Sequence, residues 1–282
     1  MELKCEIFRD SMQNYKRYNI PKAQLIIADV PYNVGDNFYG SNPKWYNGGE
    51  RTNGESKLAK KAAFNSDYNF NLYEYFHFCS RMMKKEDTKP VRRGGSSDSP
   101  CMIVFCSFEQ MHILIQAAKK HGFTKYIPLY FIKNYSPQVL KANMRVVGAT
   151  EHALLFYRDR LPKFRNGLKV DENGKNIRGT GHMIFDWFKW ERDGKEIPKI
   201  HPTQKPVSLC EDILGQFKDS KTVLDLFGGS GSTLIACERT GHECFIMELS
   251  PQYCDVIIQR WQDLTGKEAT LERTGETFNS LK

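Results

Sequence analysis

Six short runs of large apolar and β-branched residues punctuate the chain: "LIIADV" from position 25, "CMIVFCS" from 101, "YIPLYFIK" from 126, "HALLFYR" from 152, "TVLDLF" from 222 and "ECFIMEL" from 243. Bounded by polar turn residues, they read as strands of a buried sheet. Between them the apolar period lengthens to that of a helix. Leu72, Phe76, Cys79 and Met83 share one helical face after the first run, and Met111, Leu114, Ile115 and Ala118 share one after the second. "SFEQ", with Ser107 and Gln110, predicts a capping box opening that second helix. Ser250 as N-cap and Pro251 at the first helical position predict another, with Tyr253, Val256, Ile257, Trp261 and Leu264 inward. The alternation predicts an α/β fold with a doubly wound, mostly parallel sheet.

Three stretches break the rhythm. Residues 36–66 are polar, glycine-rich and basic, and 84–100 include "KKEDTKPVRRGGSSDSP"; both predict mobile surface loops. Residues 159–200 set charged pieces around the aromatic cluster "MIFDWFKW" and predict a small insertion. With no internal repeat and no linker-like segment, residues 1–282 are expected to form a single catalytic domain carrying these insertions.

Composition narrows the chemistry. The 41 Lys and Arg exceed the 33 Asp and Glu by a formal +8, which favours an anionic partner, nucleic acid first. The eight cysteines fall mostly inside apolar runs without a C-x-x-C pair, as expected of reduced core thiols in the cytoplasm. No histidine pair has ligand spacing beside them, so no metal site is expected. The N-terminus lacks the apolar core of a signal peptide, and no run approaches the ~20 apolar residues that would span a bilayer.

Two stretches remain that composition does not explain. In "IIADVPYNVG" an apolar run stops at Asp29, followed by Val30, Pro31 and Tyr32. Taken alone, this is a strand ending in a turn. In "TVLDLFGGSGSTLIACERTG" a strand ends at Asp225, and Phe227, Gly228, Gly229, Ser230 and Gly231 lead into a helix. The glycines permit a tight turn and close approach to a ligand, and the helix N-terminus offers free N–H groups. It is not the dinucleotide fingerprint G-x-G-x-x-G, because the third position is Leu234. The next strand ends in Glu248, placed to accept hydrogen bonds from ribose hydroxyls. A ribose without a diphosphate fits S-adenosylmethionine.

Together the two stretches resemble the amino-methyltransferases that act on exocyclic amines of DNA bases. Asp29-Val30-Pro31-Tyr32 is similar to their D-P-P-Y motif, and Phe227 to Gly231 to their F-x-G-x-G motif. The catalytic motif comes first, and "HPTQKP" at 201–206 precedes the cofactor strand, an order that resembles the β-class, a circular permutation of the usual methyltransferase order. The likeness runs from Asp29 to about Glu272. It implies a Rossmann-like seven-stranded sheet and transfer of methyl from S-adenosylmethionine to adenine N6 in a flipped-out base of double-stranded DNA.

By that resemblance Asp29 and the Val30 carbonyl accept the amine protons, and Tyr32 stacks on the base. Asp225, Phe227, Gly229, Gly231, Ser232 and Glu248 form the cofactor site, with Thr203, Gln204 and Lys205 at its methionine end. Val30 stands where the family usually has proline, which gives up the fixed φ that proline supplies. Lys133, Asn134, Lys141, Arg145, Arg158, Lys163 and Arg165 are candidates for phosphate contacts, and residues 159–200 for target recognition. The family includes homodimers and members paired with a restriction endonuclease, in bacteria and phage. Three alternatives stay open: a cytosine-N4 enzyme, whose motif typically begins with serine, a DNA-binding pseudoenzyme, and an RNA or protein-glutamine methyltransferase, which usually places the cofactor motif before the catalytic one.

Overall fold

The computed structural model describes residues 3–32, 70–86, 99–135, 149–194 except 166, 168, 170, 174 and 176, then 204–217 and 221–281. The loop at 36–66, most of that at 84–100, and Lys141, Arg145 and Thr203 lie outside them.

Each of the six apolar runs forms a strand. They are β2 (Leu25–Asp29), β3 (Cys101–Cys106), β4 (Lys125–Lys133), β5 (Thr150–Tyr157), β7 (Thr222–Asp225) and β8 (Glu243–Glu248). Two further strands are β1 (Cys5–Arg9) and β6 (Trp187–Trp190), so the described residues hold an eight-stranded sheet in place of seven strands. Both additions are short edge strands with few fully buried residues, and neither carries a long apolar run. They form because a neighbouring edge is available, which local sequence does not disclose.

The strand order is β1-β8-β7-β2-β3-β5-β4-β6. All neighbours are parallel except that β5 runs antiparallel to both β3 and β4. From β2 the chain proceeds to β3 on one side, and from β7 to β8 on the other. The order therefore reverses between β2 and β7, whose C-terminal ends border the crevice where open α/β sheets bind ligands.

Helices α1 (Leu72–Met82) and α2 (Met111–Lys120) cover one face. Leu72, Tyr75, Phe76, Cys79, Leu114, Ala117 and Ala118 pack there on Ile26, Ala28, Met102 and Val104. Met111 and Ile115, expected inward on α2, are only partly buried. Helices α3 (Val207–Gly215), α4 (Ser232–Thr240) and α5 (Pro251–Thr265) lie on the other face. Ser250 caps α5 through its Oγ, as expected, but the buried positions are Cys254, Ile257 and Gln262, and Leu264 is exposed. Ser107 and Gln110 form the reciprocal capping pair, each backbone N–H bonded at 3.3 Å to the other's side chain.

Candidate active site

Asp29 is the last residue of β2, and period-2 alternation puts it on the α3–α4 face, continuing Leu25 and Ile27. Beyond it Val30 turns to the opposite face and is buried, 1% exposed, in the α1–α2 core. Packing thus replaces the restraint that a proline would give at this position. A second restraint acts one residue on: the Gln110 side-chain amide donates to the Pro31 carbonyl at 2.8 Å. Gln110 is itself buried and held by Ser107.

Three charged groups, Lys205, Glu151 and Lys133, gather around the Asp29 carboxylate and the Tyr32 hydroxyl. Lys205 pairs its ammonium with Asp29 Oδ2 and lies 4.2 Å from the Phe105 ring centroid. The Tyr32 hydroxyl lies 3.3 Å from Asp29 Oδ1 and 3.1 Å from Glu151 Oε2. Glu151 Oε1 pairs with Lys133, whose side chain is only 4% exposed and whose ammonium sits 4.3 Å over the Trp190 ring. Burial raises the Tyr32 hydroxyl well above its usual pKa, and the negative charges of Asp29 and Glu151 add to that. For Glu151 burial pushes upward, but Lys133, Lys205 and the two hydrogen bonds outweigh it and hold the carboxyl below its ordinary value.

The cofactor motif occupies the neighbouring strand ends. Asp225 ends β7, is 5% exposed, and accepts the Phe227 N–H at 2.9 Å. Burial lifts its pKa to about 6 despite that bond. Glu248 divides its carboxylate between the Gly229 N–H at 2.7 Å and the Ser250 N–H at 2.8 Å, which ties the glycine turn to the start of α5. Gly228 is demanded by packing, since a Cβ there would meet Ile246 at 2.4 Å. Gly231 adopts φ 80°, and a Cβ would lie 2.9 Å from Ile257. Gly229 also has positive φ, 52°. Phe227 packs edge-on to Phe70 at 5.5 Å and near Tyr75.

Several residues expected at the cofactor site also make contacts within the protein. Ser232 is buried, and its hydroxyl donates at 2.7 Å to the Lys205 carbonyl, so it joins the two motifs through protein atoms. Lys205, expected at the methionine end, pairs with the Asp29 carboxylate. Gln204 lies just before α3, whose first N–H is capped by Asp193 at 2.8 Å.

Among the phosphate-contact candidates, Lys133 is buried against Glu151 and cannot meet solvent phosphate. Arg158 lies past the end of β5, at the sheet edge opposite Asp29. There its guanidinium donates to the Ser80 carbonyl in the last turn of α1 and the Lys84 carbonyl just past it, and stacks on Phe123 at 4.6 Å. Arg165 is exposed, and its backbone N–H donates to the Gln216 carbonyl at the end of α3, which places it on that far edge; partly buried Lys163 lies two residues before it. Of the described candidates, Asn134 is exposed at the site end of β4.

Sequence reasoning missed Glu151, Gln110 and Asp193 as functional contacts. Glu151 had a signal: an acid heads the apolar run of β5 as Asp29 ends that of β2. Only the antiparallel direction of β5 brings the two to the same edge.

A family model described as DNA methylase matches residues 23–260. DNA adenine methyltransferase YhdJ of Escherichia coli (strain K12) is 25% identical over 275 residues, 92% of this chain and 83% of its own. Type II methyltransferase M2.DpnII of Streptococcus pneumoniae is 29% identical over 103 residues, 30% of this chain and 38% of its own. Among solved structures, the complex of M1.HpyAVI with SAM matches with a TM-score of 0.55 and 19% identity, covering 91% of this chain and 99% of that one. The cytosine-N4-specific PvuII DNA methyltransferase matches at 0.58 and 14%, covering 92% and 86%. These likenesses establish the shared fold. The matched span includes Asp29 and the glycine turn on adjoining strand ends, and the chain belongs to the N6/N4 DNA methylase family.

Proposed function

We propose that the protein transfers a methyl group from S-adenosylmethionine to the exocyclic N6 amine of adenine, flipped out of double-stranded DNA. The observation that supports this reading is the strand-order reversal between β2 and β7, where Asp225 pairs with Ile27 and Asp29 lies two residues further along β2, with an acceptor edge on one strand and a glycine turn on the other. The residues fit such a cofactor. Two carboxylates, Asp225 and Glu248, end neighbouring strands around a turn closed tightly enough to exclude any Cβ at Gly228. When bound, the cofactor supplies an electrophilic sulfonium methyl.

The chain's own groups must make the amine nucleophilic, because its lone pair is delocalised into the ring. Asp29 and the Val30 carbonyl accept hydrogen bonds from its two N–H groups out of the base plane, which draws nitrogen towards tetrahedral geometry and frees the lone pair; one of those protons leaves to solvent once nitrogen is methylated. Asp29 also stabilises the positive charge that develops on nitrogen. Tyr32 offers its ring to the base and offsets part of the few kcal/mol that flipping costs. Packing of Val30 and the Gln110 bond keep these acceptors in place before substrate arrives.

Adenine is favoured over cytosine by the aspartate that begins the motif, and by the name of the relative that matches along most of both chains. The test is expression in a host without DNA methylases, followed by nucleoside mass spectrometry and long-read sequencing of its DNA. N6-methyladenine is expected at a defined sequence. N4-methylcytosine, or no methylated base, refutes the reading.

A further inference from the structure

Two carboxylates face one phenol. The Tyr32 hydroxyl carries a single proton and lies within hydrogen-bond reach of both Glu151 and Asp29, slightly nearer Glu151. If that proton goes to Asp29, it occupies the oxygen that an amine would need. If it goes to Glu151, Asp29 Oδ1 keeps its lone pairs, while Oδ2 stays on Lys205.

Which acceptor wins is decided by how each is anchored. Glu151 sits on β5 opposite Phe131 of β4, so its carboxylate projects from the same face as Lys133 two residues on. Lys133 is 7% exposed, committed to Glu151, and backed by the Trp190 ring of β6, the strand that the insertion adds to the sheet. A buried ammonium needs a partner ion, so Glu151 is fixed as an anion in one orientation with its second oxygen aimed at Tyr32.

We infer that Glu151 is a positioning residue for methyl transfer: by holding the Tyr32 hydroxyl proton it keeps Asp29 open to the substrate amine and fixes the Tyr32 ring for the base. Trp190 and Lys133 form its support, so the insertion contributes to the catalytic geometry from behind. This assignment rests on the methyltransferase reading and gives that site a residue outside its sequence motif.

The test is a double-mutant cycle in Glu151→Gln and Tyr32→Phe, read as single-turnover methyl transfer from labelled S-adenosylmethionine to DNA of a methylase-free host, with cofactor affinity by calorimetry alongside. In Glu151→Gln a neutral amide competes poorly for the phenol proton, which turns to Asp29. The rate is expected to fall about tenfold, the worth of one hydrogen bond, while cofactor affinity stays unchanged. Tyr32→Phe keeps the stacking ring but loses the hydroxyl through which Glu151 fixes it, so its rate falls by a similar factor, and adding Glu151→Gln to it costs nothing further. A merely structural role for Glu151 would cost the same factor in both backgrounds.

Equal cost in both backgrounds, no cost in either, or loss of all activity in Tyr32→Phe would overturn the inference. Should Glu151→Gln fail to fold because Lys133 is left unpaired, the cycle is run with Lys133→Gln/Glu151→Gln, in which two amides replace the ion pair. The base modified by the wild-type protein is identified in parallel. A product of N4-methylcytosine removes the adenine reading and leaves the cycle to judge Glu151 on that amine.

Discussion

Asp225→Asn is expected to stabilise the protein at neutral pH and weaken its cofactor site at once. Asp225 is 5% exposed, and burial raises its pKa from the ordinary 3.8 to about 6. A carboxyl whose folded-state pKa is raised binds its proton more tightly folded than unfolded. Its favourable contribution is therefore complete below about pH 4 and lost as pH rises through about 6. At roughly 1.4 kcal/mol per pKa unit, ionised Asp225 costs about 3 kcal/mol at pH 7.

Asparagine keeps a carbonyl for the Phe227 N–H and has no charge to bury. Urea unfolding of both proteins at intervals from pH 4 to 8 isolates the effect, because other groups cancel in the difference. The variant's advantage should grow from near zero at pH 4 to about 3 kcal/mol above pH 7. Calorimetry should show a loss of S-adenosylmethionine affinity, the usual trade between stability and a functional buried charge. A pH-independent gap, or a wild type more stable than the variant at pH 7, would refute the reasoning.

Other expectations concern the remaining parts of the site. Asp29→Ala should lower single-turnover methyl transfer at least a hundredfold, the scale of losing one positioned group, with cofactor binding retained; wild-type rates would sink the acceptor role. Gly228→Ala should cost about 1–3 kcal/mol by denaturant melting, because a Cβ 2.4 Å from Ile246 forces β8 to shift; an unchanged midpoint would mean the turn yields freely. Phe108 is 72% exposed beside His152, at the site end of β3, and Phe108→Ala should weaken DNA binding about tenfold if it meets a base; unaltered affinity in a fluorescence titration removes it from the interface. Binding should also fall steeply with salt, given the +8 charge, and a flat salt series would exclude a phosphate-tracking surface.

The six long apolar runs, the capping pair at Ser107 and Gln110 and the helix start at Ser250 are all legible in the sequence, because each rests on local physics: side-chain period, cap chemistry or the fixed φ of proline. The strand ends at Asp29, Asp225 and Glu248 are legible for the same reason, since an acid closing an apolar run marks where a strand leaves the apolar sheet. What local physics does not carry is direction and neighbourhood. Edge strands β1 and β6 exist because a sheet edge accepts them. Arg158 and Arg165 look like phosphate ligands by charge, yet strand direction takes them to the far edge. Lys133 looks equally free until Glu151 claims it.

Val30 and Glu151 mark the division most clearly. From the sequence, Val30 is a loss of backbone restraint; in the fold its side chain is locked in the α1–α2 core and Gln110 holds the next carbonyl. Glu151 has no motif at all, and it reaches Tyr32 from 119 residues away because β5 runs against its neighbours. The sequence by itself determined that the six long apolar runs form strands and where acids end three of them, because those depend on neighbours along the chain. Tertiary structure alone decided which charges meet at the Asp29 edge, because that depends on strand order and direction, which long-range packing sets.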